Sequence, residues 1–534
     1  MYVTTSQESR LLDKVAIEDF GLAGLVLMEN AAHSILREAL EFWPDLGKKE
    51  QKVLVLAGPG QNGGDGFVLS RLLLNMGHSV NCCLVRKPGQ EPSGEAGINY
   101  QLLQKLKAKI NIIETDQDEL PNFADYGLII DALFGTGLDR PLEGQAARVL
   151  LAAGPKAGFR VETRPFRVLA VDLPSGLMGD SGKAGPEVLP ADLSVSLGTF
   201  KFGHFLVDGP QLSGQVRLGD IGLGPAMYAE ASPMAMTLDL ELASSLVPNR
   251  PNDSHKGTFG HVVLLGGSAG KTGALVLASL GAQRSGCGLI TAAHPASLDM
   301  VFQTKLTSAL TLPLLEYMPG EFSSRAADQL YEFMKDKQVL ALGPGLGLRE
   351  ETHTLVFNLV QNLEVPLVLD ADALTILAEN IEVLASAKNH TIITPHPGEA
   401  ARLLGRSVSE VQEDRPKAAR ELAQKTKSVV ILKGYHTLIA EPEGSLLVNL
   451  LGGPILATGG SGDLLTGLVA GLLAQDLEPY DAAALAVYLQ ALAADLAAQH
   501  LTDRGIFPSE IQACLPEAWK TVLAYQPNLL DLHF

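Results

Sequence analysis

The stretch VLVLAGPGQNGGDGFV (53–68) decides the fold of the first half of the chain. A short apolar run meets a glycine-rich turn, and helical spacing resumes near Phe67. The turn GPGQNG (58–63) fits the GxGxxG pattern, in which backbone amides approach a phosphate at a helix N-terminus. A turn needed only for chain reversal remains an alternative. Arg86 and Lys87 stand where an acid would hold a ribose, which disfavours an ordinary NAD dehydrogenase.

The same alternation of strands and helices continues around this stretch. We predict strands near 79–85, in YGLIIDALFGTG (126–137) and in RVLAVDLPSG (167–176). Helices are predicted near 67–76 and 98–107, and an N-terminal helix over 28–40. Short apolar runs separated by helices predict parallel strands with right-handed crossovers.

A connector rich in proline and small residues interrupts the periodicity over 222–251, and we expect the domain boundary near residue 230. A second, larger alternation follows, with a predicted β-hairpin at 436–449 and an alanine-rich helix at 481–500. We therefore predict two α/β domains, residues 1–230 and 231–534. The strand runs of the second domain include HVVLLGG (261–267), VLALGPGLG (339–347), VPLVLDADAL (365–374), TIITPHPGE (391–399) and SVVILKG (428–434).

Composition excludes several classes of protein. The 41 Lys and Arg residues face 60 Asp and Glu residues, and the resulting net charge of -19 is the wrong sign for coating nucleic acid or anionic lipid. Charged residues at 19% and apolar residues at 46% favour a folded, soluble chain over a disordered one. Four cysteines without a CxxC pair suit a reducing cytoplasm. We expect a cytoplasmic protein with neither nucleic acid nor membrane as partner.

Two carboxylates in the first half follow apolar strands, Asp131 in LIIDALFGTG and Asp172 in LAVDLPSG. Ligands of open parallel sheets sit beyond the carboxyl ends of strands, so these side chains can converge with Asn62 and Ser175. Their hard oxygen donors suit an alkali or alkaline-earth cation, and one carboxylate could transfer a proton. Helix capping by each aspartate remains the alternative.

The segment ATGGSGDLLTG (457–467) is the most informative one in the second half. A glycine-rich turn ends in Asp463, where an apolar helix begins. Free amides at a helix start stabilise an anion, and Asp463 could take the proton of a hydroxyl that attacks a terminal phosphate. Phosphoryl transfer to an alcohol is the predicted chemistry, with a plain N-cap as the alternative. LGGSAGKTGA (265–274) misses the Walker A pattern because Leu265 replaces its first glycine.

Three neighbouring loops can face the same crevice as Asp463. LKG (432–434) ends a strand with a lysine, and PGLG (344–347) and PHPGE (395–399) follow two other strands. The prolines beside His396 fix its backbone, which suits a ligand-binding residue better than a base. Asp370 and Asp372 could orient a metal-bound water or cap a helix, and we leave their roles open.

These motifs together resemble the bifunctional NAD(P)H-hydrate repair enzymes, in which an NAD(P)HX epimerase is fused to an ADP-dependent NAD(P)HX dehydratase. The resemblance covers nearly the whole chain in the family's own order, and the second half also resembles ribokinase-like kinases, whose motif ends GxGD. It rests on LMENA, GPGQNGGDGFV, DALFGTGL and DLPSG in the first half, and on DSHKGTFGHVVLLGGSAGKTGA, GPGLG, DADAL, TPHPGE, LKG and ATGGSGDLLTG in the second.

The resemblance implies that both domains have a three-layer α/β fold, Rossmann-like in the first and ribokinase-like in the second. The first domain would interconvert the R and S epimers of hydrated NADH and NADPH, with Asp131 as a catalytic position. A potassium ion would be held by Asn62, Asp131 and Ser175. The residues implied to contact the hydrate are Asn62, Gly63, Gly64, Asp65, Gly135, Thr136, Gly137, Leu138, Asp139, Arg140, Pro141 and Asp172.

The second domain would phosphorylate the ring hydroxyl of the S epimer with ADP and eliminate phosphate, releasing AMP and restoring NAD(P)H. Asp463 would be the base, with Ala274, Gly345 and His396 also contacting the hydrate, and Mg²⁺ would assist the transfer. Gln61 and Gly452-Gly453-Pro454 depart from the family pattern. The residues implied to hold ADP are Lys433, Gly434, Tyr435, His436, Thr437, Thr458, Gly459, Gly460, Ser461 and Gly462.

Two rival functions remain at this stage. The second domain could be a small-alcohol or vitamin kinase that releases a stable phosphate ester. The first domain could be a non-catalytic nucleotide sensor or interaction module. For the main function we expect a homo-oligomer whose small-molecule substrates are NADHX, NADPHX and ADP.

Overall fold

The computed structural model describes residues 1–138, 140–154 and 164–526. The chain divides into two compact units, Met1–Met234 and the residues from Ala235 onward. Residue 230, where the sequence suggested a boundary, lies inside a helix of the first unit, Pro225–Ala231. Each unit is a layered α/β structure, which confirms the predicted fold class.

The first unit alternates strands and helices from its N-terminus. Its strands are β1 (Val3–Thr4), β2 (Lys52–Ala57), β3 (Ser79–Val85), β4 (Lys109–Ile113), β5 (Leu128–Ala132), β6 (Arg167–Val171), β7 (Leu193–Leu197), β8 (Phe200–Lys201) and β9 (Gln215–Gly219). Its helices are α1 (Ser6–Lys14), α2 (Gly24–Phe42), α3 (Gln61–Asn75), α4 (Gly94–Lys105), α5 (Gly144–Ala153), α6 (Gly209–Leu212) and α7 (Pro225–Ala231).

The described residues of this unit form a seven-stranded parallel sheet in the order β4-β3-β2-β5-β6-β7-β9. Val53 and Val55 of β2 pack with α2, α3 and α4 on one face, whereas Leu54 and Leu56 pack with α5 on the other. Burial on both faces explains why the strand reads as a continuous apolar run. The strand order reverses between β2 and β5, so the crevice beyond their carboxyl ends is the expected ligand site.

The second unit is built in the same way on a larger sheet. Its strands are β10 (Ala235–Leu238), β11 (His261–Leu265), β12 (Leu289–Pro295), β13 (Leu310–Leu314), β14 (Glu316–Met318), β15 (Glu321–Phe322), β16 (Val339–Leu342), β17 (Leu367–Leu369), β18 (Thr391–Ile393), β19 (Val429–Leu432), β20 (Leu438–Ala440) and β21 (Leu446–Asn449). Its helices are α8 (Leu240–Ser245), α9 (Thr272–Ser285), α10 (Asp299–Lys305), α11 (Ala326–Phe333), α12 (Glu350–Asn362), α13 (Ala371–Leu377), α14 (Glu382–Ala385), α15 (Pro397–Leu404), α16 (Val408–Glu413), α17 (Arg415–Thr426), α18 (Ser461–Leu473), α19 (Pro479–His500) and α20 (Pro508–Ala524).

Within the described ranges this sheet has ten strands, in the order β10-β21-β20-β19-β18-β17-β16-β11-β12-β13. Strands β19, β20 and β21 pair antiparallel, as the predicted hairpin requires, and the other pairs are parallel. The order reverses between β11 and β16, which places the loops after these two strands at the expected ligand crevice.

Two predictions from the sequence were wrong in detail. The connector over 222–251 contains α7, β10 and α8, and β10 pairs in parallel with β21 at the edge of the second sheet. Helix α3 begins at Gln61 rather than near Phe67, because the glycines of its first turn are helical. Gly63 must be glycine there, since a Cβ would overlap the carbonyl oxygen of Gly58.

Helix α19 has the length and apolar composition of a membrane span among the described residues. It lies in the core of the second unit, with 72% of the apolar window buried inside the protein. Core helices of soluble proteins have the same character, so α19 agrees with the structural role predicted for the alanine-rich segment.

Candidate functional sites

Asp131 links the loops that follow β5 and β6. Its Oδ1 accepts hydrogen bonds from Ser175 Oγ at 2.5 Å and Leu133 N at 3.3 Å, and its Oδ2 accepts one from Ser175 N at 2.8 Å. The carboxyl is fully buried, and burial raises its pKa to about 6 against the lowering effect of these hydrogen bonds. Asp131 therefore joins two strand-end loops, and the helix-cap interpretation is wrong because Glu143 holds the N-cap of α5.

Asp172 has a left-handed backbone (φ +66°), which is strained for a residue with a side chain. Its Oδ1 accepts hydrogen bonds from Lys201 Nζ at 2.6 Å and from Leu197 N at 3.1 Å. Its Oδ2 faces Gly135: a Cβ on Gly135 would lie 3.1 Å from this oxygen and 3.1 Å from Asn62 Oδ1. The structure thus brings Asn62, Gly135 and Asp172 together, and the hydrogen bonds to Asp172 Oδ1 come from Lys201 and Leu197 rather than from a helix N-terminus.

Asn62 lies in the first turn of α3, and its Nδ2 is buried without a partner among the described residues. Asn62 offers an amide oxygen, Ser175 a hydroxyl, and Asp131 a carboxylate that uses three of its roughly four lone-pair positions. The described residues contain no cluster of three His, Cys, Asp or Glu side chains for a metal. This oxygen donor set fits a weakly held alkali cation better than a transition metal.

The other predicted residues of this site fall into two groups. Gly63, Gly64 and Asp65 are buried in the first turns of α3, where a Cβ on Gly64 would lie 2.5 Å from the Met28 Cε. Burial raises the pKa of Asp65 well above its ordinary value, and Asp172 adds to the shift. The loop after β5 supplies Thr136, Gly137, Leu138, Arg140 and Pro141 at the accessible side, while Asp139 lies outside the described residues.

Lys201 is a functional candidate that the sequence analysis missed. It lies in β8, its side chain is 1% exposed, and its ammonium pairs with Asp172. In the sequence, only the two phenylalanines that flank Lys201 indicate that this lysine is buried. The distant partner cannot be read from that sign, because it comes from the β6 loop.

In the second unit, Asp463 lies in the first turn of α18, directly after the glycine turn. Gly460 occupies the N-cap with a left-handed backbone (φ +95°), so Asp463 is not the cap that the alternative interpretation required. Burial raises the pKa of Asp463 to about 7, the nearby charge of Asp370 adds to the shift, and Lys433 opposes it. An acid poised near neutral pH beside uncapped amides suits proton transfer during phosphoryl transfer.

Lys433 and Asp370 form an ion pair beneath this turn, in which Asp370 is buried and Lys433 is partly exposed. Lys433 Nζ lies 2.8 Å from Asp370 Oδ1, and Thr466 Oγ1 donates to Asp370 Oδ2 at 2.8 Å. A Cβ on Gly462 would lie 3.2 Å from Lys433 Nζ. Burial alone would raise the pKa of Asp370, but the Lys433 ammonium and the hydrogen bonds to the carboxylate hold it below its ordinary value. Asp370 therefore occupies the N-cap position of α13, but its side chain anchors the lysine and makes no capping hydrogen bond.

His396 caps helix α15. Its Nδ1 accepts hydrogen bonds from Gly398 N at 2.9 Å and from Glu399 N at 3.3 Å, and its side chain is 53% exposed. Burial lowers the pKa of His396, and Lys433 lowers it further. Glu399 lies 4.0 Å from Lys433, and burial raises the pKa of Glu399 to about 7. The cap occupies Nδ1, and Nε2 lies 3.4 Å from Glu399 Oε1, so a ligand would meet a ring whose two nitrogens already face protein groups.

The loops after β11 and β16 meet at Gly345 and Ala274. A Cβ on Gly345 (φ +60°) would lie 3.2 Å from the Ala274 Cβ and 2.7 Å from the Lys271 carbonyl oxygen. Lys271 Nζ lies 2.8 Å from Asp372 Oδ2. The same oxygen accepts a hydrogen bond from Gly347 N at 2.9 Å, so Asp372 ties the two loops together.

The predicted nucleotide segment 433–437 runs between β19 and β20 over a buried arginine. Arg415 donates to the carbonyl oxygens of Leu432 at 3.3 Å and of Tyr435. Burial lowers the pKa of Arg415 to about 10. Tyr435 is 58% exposed and its ring centroid lies 4.1 Å from that of His436. Arg415 was missed from the sequence because its contacts come from a distant strand end.

The glycine turn at 458–462 and Ala274 are fixed to each other by helices α9 and α18. A Cβ on Gly281 would overlap the carbonyl oxygen of Leu464, and a Cβ on Gly467 would overlap that of Ala278. These helices therefore touch backbone to backbone. Their contact sets the distance between Asp463 in the first turn of α18 and Ala274 in the first turn of α9.

Two family models match separate parts of the chain. The model described as YjeF-related protein N-terminus matches residues 24–203, and the model described as NAD(P)H-hydrate dehydratase matches residues 262–517. The first match includes Asn62, Asp131 and Asp172, and the second includes Lys433 and Asp463.

Full-length relatives carry the same combination. The bifunctional NAD(P)H-hydrate repair enzyme of Moorella thermoacetica is 36% identical over 97% of this chain and 96% of its own length. The bifunctional NAD(P)H-hydrate repair enzyme of Thermofilum pendens is 34% identical over 98% of this chain and 97% of its own length. A crystal structure of ADP/ATP-dependent NAD(P)H-hydrate dehydratase from Bacillus subtilis is 31% identical, covers 54% of this chain and 98% of its own, and has a TM-score of 0.45. On the full-length identity and coverage, this chain belongs to the family of bifunctional NAD(P)H-hydrate repair enzymes.

Proposed function

We propose that this chain repairs hydrated NADH and NADPH in two steps, one in each unit. The first unit interconverts the R and S epimers of the hydrate. The second unit dehydrates the S epimer with ADP, and the products are NAD(P)H, AMP and phosphate. The observation that carries the proposal is the position of Asp463: a carboxyl with a pKa of about 7 at an uncapped helix start, beside the Lys433–Asp370 pair.

In the first unit, Asn62, Asp131 and Ser175 would hold a potassium ion, whose charge would offset that of the buried Asp131 carboxylate. The oxygen donors of these side chains support this assignment. Asp131 would act in catalysis through this cation. The hydrate would contact Asp172 and the accessible loop after β5, together with the first turn of α3.

In the second unit, Asp463 would take the proton of the ring hydroxyl as its oxygen attacks the terminal phosphorus of ADP, and AMP would leave as its bond to that phosphorus breaks. Phosphate would then leave with the ring oxygen while the neighbouring ring carbon loses a proton, which forms the ring double bond of NAD(P)H. Lys433 would face the developing negative charge. Ala274, Gly345 and His396 would contact the hydrate, and residues 433–437 with 458–462 would hold ADP. Mg²⁺ would supply positive charge that offsets the charge of the phosphates, and the nucleotide would provide most of its ligands, because the described residues contain no cluster of three His, Cys, Asp or Glu side chains for it.

Absorbance of the reduced nicotinamide tests both activities at once. The full chain is mixed with NADHX epimers, ADP and magnesium, with and without potassium. Complete recovery of the absorbance is expected with potassium. Recovery of about half would confine activity to the second unit, and accumulation of a phosphate ester without recovery would identify a kinase instead.

Two variants of the full chain serve as controls in the same assay. Asp131→Asn should stop recovery of the R epimer and leave that of the S epimer intact. Asp463→Asn should stop recovery of both epimers while nucleotide binding persists, since removing a base acts on the chemical step. Normal turnover by Asp463→Asn would refute the base assignment.

We also propose that the chain works in the cytoplasm as a homo-oligomer. Its four cysteines, all of them described, are free thiols, as a reducing compartment would keep them. Met300, Phe507 and Leu523 are exposed apolar side chains that self-association could cover. Light scattering of the purified chain distinguishes an oligomer from a monomer.

A further inference from the structure

Lys201 is held by three hydrogen bonds that use all of its N–H groups. Its Nζ donates to Asp172 Oδ1 at 2.6 Å, to the Leu197 carbonyl oxygen at 2.8 Å and to the Thr199 carbonyl oxygen at 3.0 Å. The side chain is 1% exposed. An ammonium with no remaining donor and no access to solvent cannot bind a substrate itself. Its effect must pass through the groups that it contacts.

A buried ammonium is a costly way to stabilise a fold. Desolvation costs several kcal/mol per ion, and well-packed apolar residues often replace buried ion pairs without loss of stability. Packing alone therefore gives little reason for Lys201. The carboxylate that it contacts, Asp172, lies at the candidate epimerase site.

The ion pair determines which oxygen of Asp172 faces the substrate loop. Oδ1 is occupied by Lys201 Nζ and Leu197 N, so the carboxylate cannot rotate without breaking both contacts. Oδ2 is left facing Gly135 and lies on the same side of that residue as Asn62 Oδ1. The strained backbone of Asp172 is maintained by the same contacts.

Lys201 is also a positive charge among several carboxyl groups. Asp13 of α1 is exposed at the surface, yet the protein around its carboxyl excludes enough water to raise its pKa to about 6. The charge of Lys201 acts in the opposite direction and lowers this pKa. Burial raises the pKa of Asp65, with contributions from Asp172 and Asp13. Burial lowers the pKa of His204 to about 3, so this neighbour is neutral at pH 7. Lys201 is thus the basic side chain that lies among these carboxyl groups, and it makes its ion pair with Asp172.

We propose that Lys201 is the positioning residue of the epimerase: it fixes the Asp172 carboxylate so that Oδ2 exchanges a proton with the hydrated ring. This inference rests on the proposed function of the first unit. The added hydroxyl of such a ring sits on a carbon bonded to the ring nitrogen. Oδ2 takes the hydroxyl proton, the oxygen forms a carbonyl as the carbon–nitrogen bond opens, and that electron pair passes to the nitrogen. After rotation, the nitrogen attacks the opposite carbonyl face and the proton returns to oxygen.

The test compares four variants of the full chain, with the R and S epimers of NADHX separated by chromatography. Lys201→Met keeps the apolar stem and removes the charge, and Asp172→Asn removes the proposed proton acceptor. A double variant combines them, and Lys14→Met is the matched control because Lys14 pairs with Glu18 at the surface. Lys201→Met should lower kcat about 10²-fold, the scale of a misplaced reacting group, and change KM less than about 3-fold.

The double variant separates positioning from a purely structural role. If Lys201 acts through Asp172, the double variant should match the kcat of Asp172→Asn within about 2-fold, since effects of residues that act as a unit do not multiply. A kcat at least about 10-fold below that of Asp172→Asn would overturn the proposal, and so would wild-type kcat in Lys201→Met. The comparison of Asp172→Asn with the double variant stays decisive if Lys201→Met alone does not fold. Failure of the wild-type chain to interconvert the epimers would instead refute the proposed function.

Discussion

Lys433 Nζ lies 2.8 Å from Asp370 Oδ1, and this pair sits directly beneath the glycine turn that leads into Asp463. Thr466, one helical turn beyond Gly462, holds the other oxygen of Asp370. The lysine, the start of α18 and the proposed base are therefore parts of one buried unit. Their charges are coupled, since Asp370 raises the pKa of Asp463 and Lys433 lowers it.

The first prediction concerns the pH dependence of dehydration. Asp463 must be deprotonated to act as a base, and its pKa is raised to about 7 by burial. We expect kcat to rise with pH up to about 7, roughly tenfold per unit on the acid side, and to level off above it. Saturating S-NADHX, ADP and magnesium between about pH 5.5 and 8.5 provide the measurement. A kcat that stays constant across this range would contradict the assignment, since a carboxyl with its ordinary pKa of 3.8 is fully deprotonated there.

Asp370→Asn should lower stability and move this inflection. Removing one partner of a fully buried ion pair costs about 3–5 kcal/mol of unfolding free energy. We expect a smaller loss here, because Lys433 is partly exposed and Glu399, 4.0 Å away, still offsets part of its charge. The pKa of Asp370 is lowered in the folded chain, so its contribution is present above the ordinary value of 3.8 and is lost as pH falls below it. We therefore expect the difference in melting temperature between the two proteins to be full at pH 7 and to shrink toward acid pH.

Loss of the Asp370 charge should also shift the kcat inflection of Asp463 to lower pH, since that charge raises its pKa. Thr466→Val is the matched control: it removes one hydrogen bond to Asp370 and keeps both charges, at a cost of about 1 kcal/mol. Equal melting temperatures for Asp370→Asn and Thr466→Val would show that the ion pair contributes no more to stability than a single hydrogen bond does.

The strands were predictable from local sequence because buried parallel strands are short apolar runs. The run 53–57 became β2 with one added residue, and 79–85 matches β3. The predicted start of helix α3 lies several residues after its actual start at Gln61. The helix begins there because Gly63 packs against the Gly58 carbonyl oxygen, a contact that helix propensities do not reveal. Strand β10 was missed because four residues carry little periodicity and the pairing partner, β21, is distant.

The convergence of site residues was predictable in part, for a topological reason. Asn62 and Asp172 follow strands whose carboxyl ends share one crevice, and the structure brings both beside Gly135. The roles of Lys201 and Arg415 were not predictable, because the burial of a cation depends on loops far away in the chain. Asp370 was visible at a strand end, but its lysine partner comes from another strand.

Ser175→Ala should weaken potassium activation of the epimerase. The Ser175 hydroxyl donates to Asp131 Oδ1 at 2.5 Å, and alanine would retain only the backbone contact to Oδ2. Loss of one ligand or of its supporting contact costs about 10–100-fold in cation affinity. We expect the half-saturating potassium concentration to rise by about that factor, with kcat at saturation changed far less. Ser194→Ala is the control, since Ser194 Oγ donates to the Ser213 carbonyl oxygen at 2.7 Å. An unchanged potassium dependence in Ser175→Ala would remove Ser175 from the site.

Gly467→Ala should damage the second unit through the contact between α9 and α18. The added Cβ would overlap the carbonyl oxygen of Ala278, and a backbone atom cannot move aside as a flexible side chain can. Overpacking of this kind costs about 1–3 kcal/mol, and separating the helices would shift Asp463 relative to Ala274. We expect a lower melting temperature and a fall in dehydration kcat. Gly273→Ala, in the same helix pair with open space around its Cβ, should be neutral or stabilising by up to about 1 kcal/mol. A Gly467→Ala variant with wild-type melting temperature and kcat would show that backbone contact between these helices does not position the base.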